Sequence, residues 1–423
     1  GDAAFGKTVP LPVCLRGFSQ AALEESRSCW ERMGFFPVQG ISGGNAAEPP
    51  HGLQAGSAVA VQLMRGDMEA SASGTLSLVQ DDKVVAFGHS LMNLGAAAMP
   101  LVAARVEAII PRSEMSFRVS SSLNEIGALV RDAESGVAGL LGRKAPMLPV
   151  HAAVLRPDGV RESYDFEIVP HPLLAPNLLS AAVMNVLAGA EKLAGAQTLD
   201  LDAVIALEGH EDVRIRDILA GDAAAVSAAQ TMSTYLSFLY NNGVAMARVK
   251  EISMDIRMDN RTKRAFLSGA QLPSAKLKAG QRHTFVVEMR PYQRPAQNIE
   301  VTVDIPIYLQ GRTLSLFVSD AATLARLEFP SGRYMPKDMS EIVTILNRIR
   351  DSRNIYVHLV EWTPSAVVAG RMVGELPADL RSLHRTPAHQ RATPELPVTF
   401  LTSNVISTEY QITGFLQINV EVL

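Results

Sequence analysis

The amino-acid sequence predicts a mainly β protein with added helices, an α+β chain, on three observations. Short β-branched or alternating apolar runs, punctuated by Gly and Pro, recur from Leu53 to about Pro170, and longer alternating strands follow from Ala245. Between them lie two segments with apolar residues at helical spacing. Length agrees: 423 residues at about 150 per domain imply two to four domains, and 47% hydrophobic residues are enough to build real cores.

In the first region SAVAVQLMRGD, ASGTLSLVQDD, KVVAFGH, ARVEAIIP, MSFRVSS, PVHAAVL and YDFEIVP read as strands of a barrel or sandwich. Residues 173–195 and Asp222 to Tyr240 read as helices, the second ending at Asn241-Asn242-Gly243, with strands TLDLDAVIALEG and VRIRDILAG between them. ARVKEISMDIRMDN, RAFLSGAQL, HTFVVEMRPY, IEVTVDIPI and TLSLFVSDA then alternate at regular spacing, which predicts an immunoglobulin-like β-sandwich of roughly 75 residues. After Asp320 come helical ATLARLE and PKDMSEIVTILNRIRDS, the strand IYVHLVEW, a Pro-rich connector LHRTPAHQRATPELP and terminal strands. The expected divisions are 1–172, a helical and mixed linker 173–244, the sandwich 245–320 and a mixed α/β region 321–423.

Composition removes several function classes. Lys+Arg 39 against Asp+Glu 43 leaves a net charge of −4 without an extended basic block, so nucleic acid is not an expected partner. With 6% aromatic residues the chain is poorly equipped for stacking on sugars or bases. The most apolar stretch, Leu173 to Leu187, is interrupted by Pro176, Asn177 and Asn185, so no transmembrane segment is expected. Cys14 and Cys29 permit one disulfide but no thiolate metal cluster. The histidines lack metal-binding spacing, and no Walker, dinucleotide or EF-hand loop occurs, so neither a metal nor a cofactor is expected. The chain opens in GDAAFGKTVPLPV without a charged-then-apolar leader, as a processed product would.

Three residues are candidates for chemistry. His89, in Ala86-Phe87-Gly88-His89-Ser90, sits where an apolar strand gives way to a Gly-flanked loop, a place from which an imidazole can reach a cleft and act as general base. Ser42, in Gly40-Ile41-Ser42-Gly43-Gly44, lies in a Gly-rich loop that can expose a hydroxyl and surround an oxyanion with backbone N–H groups; any flexible loop has the same composition. Asp132, in RDAESG, can orient a catalytic histidine, or it caps its own turn. Asp67 and Asp82 are further candidates for the orienting role, and spacing does not choose among the three.

The ordered strings LQAGSAVAVQLMRGDMEASASGTLSLVQDDKVVAFGHSLMNLG, IIPRSEMSFRV and IGALVRDAESGVAGLLGRKAPMLPV resemble the peptidase domain of the SpoIVB family of serine peptidases, over about residues 50 to 170. A looser likeness continues through Arg290-Pro291-Tyr292, Ile305-Pro306, VSDAATL and LNRIR. The resemblance implies a trypsin-like barrel in which a histidine of a G-H motif, here His89, activates a serine in G-M-S-G-S-P. No G-x-S-G-S-P occurs in the chain, so the nucleophile is expected on an upstream fragment, with Ser42 a poor substitute. The implied function is an exported endopeptidase, or its self-processed C-terminal fragment, acting on protein or peptide substrates. By this reading the chain alone is inert, because a triad acts as a unit. The fragment bearing the serine is its expected partner, with an oligomer left open. The alternative is a catalytically inert scaffold or binding protein of the cell envelope that keeps the peptidase fold and recruits partners at sandwich edges.

Overall fold

The computed structural model describes residues 10–40, 52–111, 117–190, 196–328, 336–362, 365–368, 371–373, 395–396 and 398–423. It is mostly β with helices inserted. Two compact units divide the chain: residues 1–194 with 203–209 and 225–256, and residues 195–202 with 210–224 and 257–423.

The first unit opens with β1 (Leu11–Arg16), α1 (Gln20–Arg32) and β2 (Phe35–Gln39). β1 and β2 are parallel, which demands a crossover, and α1 supplies it. Ser19 starts the helix by accepting a hydrogen bond from Ala22 N at 3.2 Å. Next come β3 (Ala58–Gly66), β4 (Glu69–Gln80), β5 (Lys83–Ala86), β6 (Gly95–Ile110), β7 (Phe117–Ala133) and β8 (Gly136–Leu141). These six pair antiparallel in the cyclic order β3-β4-β5-β8-β7-β6, and β6 returns to β3. The near-continuous apolar run Val59–Met64 of β3 is buried on both faces, as a strand enclosed by other elements must be.

β9 (Leu148–Leu155) and β10 (Arg161–Ile168) form a hairpin about Pro157-Asp158-Gly159, and β10 pairs with β3. They are followed by α2 (Ala175–Ala190), β11 (Gln197–Leu207), β12 (Val213–Gly221), α3 (Ala224–Tyr240) and β13 (Val249–Asp259). α2 packs on α1 and is apolar nearly all round, with Leu178, Leu179, Ala182, Val183, Val186 and Leu187 fully buried. Asn185, which interrupts that run, accepts from Ser19 N at 2.9 Å and donates to Gly17 O at 2.8 Å. Its buried amide is thereby satisfied and ties α2 to the segment entering α1. Among the described residues no helix is long and apolar enough to cross a membrane.

The second unit contains β14 (Arg264–Gln271), β15 (Lys276–Leu277), β16 (Arg282–Pro291), β17 (Gln297–Asp304), β18 (Thr313–Ser319), α4 (Ala321–Glu328), α5 (Met339–Leu346) and β19 (Asn354–Glu361). The short β20 (Ser365–Val368), β21 (Arg371–Val373) and β22 (Glu395–Leu396) precede β23 (Thr399–Phe400), β24 (Asn404–Ser407), β25 (Gln411–Thr413) and β26 (Phe415–Val422). One sheet runs β17-β16-β14-β25; another runs β15-β26-β18-β19-β23, with β24 beside β19. Alternate residues of both meet in one core: Phe285, Val287 and Met289 from the first, Leu314, Leu316 and Val318 from the second. Strands β19, β25 and β26 supply Ile355, Val357, Ile412 and Val420 to this core, so residues 245–320 do not close on themselves. Most of the Pro-rich connector lies outside the described residues.

Candidate functional site

β5 is held between β4 and β8, and the chain leaves it through two successive left-handed residues, Phe87 (φ 76°) and Gly88 (φ 73°). Such a conformation strains a residue with a side chain, and here two contacts hold it. Phe87 N–H donates to Thr75 O at 2.9 Å, and the Phe87 ring lies on Gly74, where a Cβ would come within 2.5 Å of it. The turn delivers His89 to the surface. Its ring stands edge-on to Phe87 at 5.8 Å between centroids, and its Nδ1 lies 2.8 Å from Ser90 O. A carbonyl only accepts, so Nδ1 carries a hydrogen and the neutral ring keeps its lone pair on Nε2.

Asp132 shapes the rest of the loop. It is fully buried near the end of β7, opposite Gly95 of β6 and Val137 of β8. Its Oδ1 accepts from Leu91 N at 2.7 Å, and its Oδ2 from Met92 N at 2.8 Å and Leu94 N at 3.0 Å. These charge-assisted bonds fix the backbone between His89 and the two further left-handed residues Asn93 and Gly95. Of the two roles the sequence left open for Asp132, the hydrogen bonds of the described residues show backbone capping rather than a bond to the His89 ring, whose partner is Ser90 O. With three backbone N–H groups on its two oxygens, this buried carboxylate is satisfied without an imidazole.

The other candidates lie elsewhere. Ser42 is outside the described residues. Asp82 precedes β5, at the opposite end of that strand from His89. Asp67 faces β10, accepting from Asp165 N at 2.7 Å through Oδ2. Cys14 and Cys29 are free and buried, and burial pushes the Cys14 thiol up, away from the thiolate form a nucleophile needs. Among the described residues no three His, Cys, Asp or Glu side chains cluster to hold a metal ion.

One pairing escapes the motif reading. His151 of β9 and Asp165 of β10 are direct cross-strand partners, with Nδ1 2.6 Å from Oδ1 on the exposed side of the hairpin. The signal was present: counting outward from Pro157-Asp158-Gly159 sets these residues opposite each other. No serine or cysteine hydrogen-bonds to the pair among the described residues, so it has the orientation of a catalytic couple without a nucleophile.

The chemistry assembled around residues 87–95 is thus an exposed imidazole of defined tautomer on a loop locked by a buried carboxylate. No protein-family model, curated protein or solved structure matches the chain.

Proposed function

We propose that the first unit is the base-bearing part of a SpoIVB-type serine endopeptidase, or of its self-processed fragment, acting on protein substrates outside the cytoplasm. The observation that carries this reading is the Nδ1 bond of His89 to Ser90 O, because it leaves Nε2 as the proton acceptor on an exposed ring. In the proposed mechanism Nε2 takes the proton of a serine hydroxyl as the oxygen attacks the scissile carbonyl, then returns it to the leaving amine. Asp132 holds the loop that carries the base and does not touch the ring. The antiparallel six-strand ring supports the trypsin-like part of the reading, and the two sheets sharing one core support the immunoglobulin-like part. In this reading the attacking hydroxyl is that of a G-x-S-G-S-P serine, a motif that the 423 residues do not contain.

The test is fluorophosphonate labelling of natively purified full-length protein, with the labelled peptide located by mass spectrometry. Label on the G-x-S-G-S-P serine, reduced at least about a hundredfold by His89→Ala in a folded protein, is the expected result. Label on Ser42 would move the nucleophile into this chain. A second reading, an inert envelope scaffold, is favoured by the lack of any serine hydrogen-bonded through its side chain to His89 among the described residues. It prevails if the precursor takes no label and cleaves neither itself nor an unfolded substrate.

A further inference from the structure

The end of the first unit where α2 begins and α3 stops is apolar and exposed. Leu173, just before α2, is 59% exposed, Phe238 in the last turn of α3 39%, and Val244 and Met246 in the loop after it 39% and 46%. Two hydrogen bonds hold these segments at one end: Asn241 Nδ2 donates to Pro172 O at 3.2 Å, and Ala247 N donates to Leu239 O at 3.1 Å. Charge would normally interrupt an exposed patch of this kind. Here no Asp, Glu, Lys or Arg occurs between Glu167 and Glu191 or between Asp222 and Arg248.

The backbone of this tip is closed on itself. Asn242 Nδ2 shares its hydrogens among Phe238 O, Leu239 O and Ala245 O at 3.1, 2.9 and 2.9 Å, and its Oδ1 accepts from Val244 N at 2.9 Å and Ala245 N at 3.1 Å. His171 accepts Leu173 N–H on Nδ1 at 3.3 Å and the N–H groups of Leu174 and Ala175 on its carbonyl, while Asn177 donates to Leu173 O at 3.1 Å. Helix ends commonly leave such groups to water. With partners inside the chain, these can leave water without being stranded.

We infer that this tip seats the protein on a lipid bilayer, with Leu173, Phe238, Val244 and Met246 sunk among the acyl chains at the interface and no segment crossing. Apolar burial drives the contact. The charges that follow Met246 in the chain cancel: Arg248 stands 3.7 Å from Glu208, and Lys250 is followed by Glu251. A protein partner is the poorer match, because protein interfaces carry about one hydrogen bond per 100–200 Å² and the backbone donors and acceptors named above are already engaged.

Flotation of the whole chain with phosphatidylcholine vesicles tests this. The protein should float with the vesicles, and about 0.5 M salt should not release it, because screening acts on charges and not on apolar burial. Phe238→Ser combined with Met246→Ser, both exposed and checked for folding by circular dichroism, should weaken binding at least about tenfold. Val405→Ser, at a position 50% exposed in the second unit, should leave it unchanged. In Phe238→Trp the added indole should be quenched by vesicles with brominated acyl chains, beyond any quenching of Trp30 and Trp362 in the unaltered protein. Absence of flotation, release by salt, or undiminished binding by the Phe238→Ser, Met246→Ser variant would each overturn the proposal. So would a dimer in solution that the same variant dissociates, since a second copy of the chain would then be the occupant of the patch.

Discussion

Asp132 in the first unit and Asp259 in the second are both strand-end carboxylates with three or more hydrogen-bond partners, and the balance of backbone to side-chain partners differs between them. Asp132 is fully buried, and its partners are the backbone N–H groups of Leu91, Met92 and Leu94. Asp259 keeps 26% of its side chain exposed, and its partners are mainly cationic side chains, the Arg261 guanidinium at 2.7 Å and the Lys263 ammonium at 3.0 Å, with one backbone N–H, that of Arg261, at 2.9 Å. A backbone N–H cannot move without moving the chain, so the buried carboxylate turns hydrogen-bond energy into a loop conformation. Long cationic side chains can find other rotamers or water, so beyond the Arg261 N–H two residues on, the solvated carboxylate orders little but its neighbours' side chains. A loop that must present a histidine in one orientation needs the first arrangement.

The largest expected effect follows from that contrast. Asp132→Ala removes three charge-assisted bonds, each worth about 1.5–3 kcal/mol but not additive, so a stability loss of about 3–5 kcal/mol is expected in urea unfolding. Amide exchange at Leu91, Met92 and Leu94 should rise in the same variant. Asp132→Asn keeps one acceptor and turns an NH₂ toward donors, so it should be damaging but less so. A loss for Asp132→Ala no greater than about 0.5 kcal/mol, typical of surface changes, would break the comparison.

The other support of the loop predicts a smaller loss. Gly74→Ala would place a Cβ 2.5 Å from the Phe87 ring, and the ring cannot slide freely because Phe87 N is bonded to Thr75 O. Overpacking of this kind costs about 1–3 kcal/mol, and thermal unfolding should register it. Loss of His89-dependent labelling before loss of fold would show that the ring's seat acts on the loop first.

How much of this was legible follows from the kind of contact involved. The strand KVVAFGH with its terminal histidine is readable because β-branched residues and a following Gly mark a strand end locally. The helices α2 and α3 lie within the expected segments, since apolar spacing is also local. The partners of Asp132 are backbone groups, which every residue but Pro carries, so no sequence signal distinguishes them from an imidazole. His151 and Asp165 were within reach through the turn between them. The pairing of β18 with β26, which sets Thr313 beside Glu421, joins residues about a hundred positions apart and leaves no local trace.

His358 sharpens the comparison within the second unit. It is 3% exposed, and burial lowers its pKa, while its hydrogen bond to Thr402 O and the charge of Glu328 act upward and Arg350 acts downward. A depressed histidine stays neutral in the fold while the unfolded chain takes up a proton, so stability should decline as pH falls below about 6.5. Burial lowers His171 in the first unit too, so the effect is read as a difference between the protein and His358→Gln. The variant should lose part of that acid slope, and an unchanged slope would mean that the second unit's pH dependence resides elsewhere.

Asp259 predicts the smallest effect and the clearest separation. The Arg261 side chain holds its carboxyl well below the ordinary carboxylate range, with burial opposing and the Arg261 backbone N–H and Lys263 assisting. A depressed carboxylate stabilises the fold above its unfolded pKa, about 4, and that contribution fades as pH falls through and below this value. Because both cationic partners reach solvent, Asp259→Ala should cost at most about 1 kcal/mol at neutral pH. At about 1 M salt, where screening acts within about 3 Å, most of that should vanish and leave only the share of the Arg261 N–H bond, whereas the penalty for Asp132→Ala should persist in full. Parallel urea titrations at low and high salt decide the matter: a salt-insensitive cost at Asp259 would mean that its bond from Arg261 N, and not its cationic partners, carries the cost.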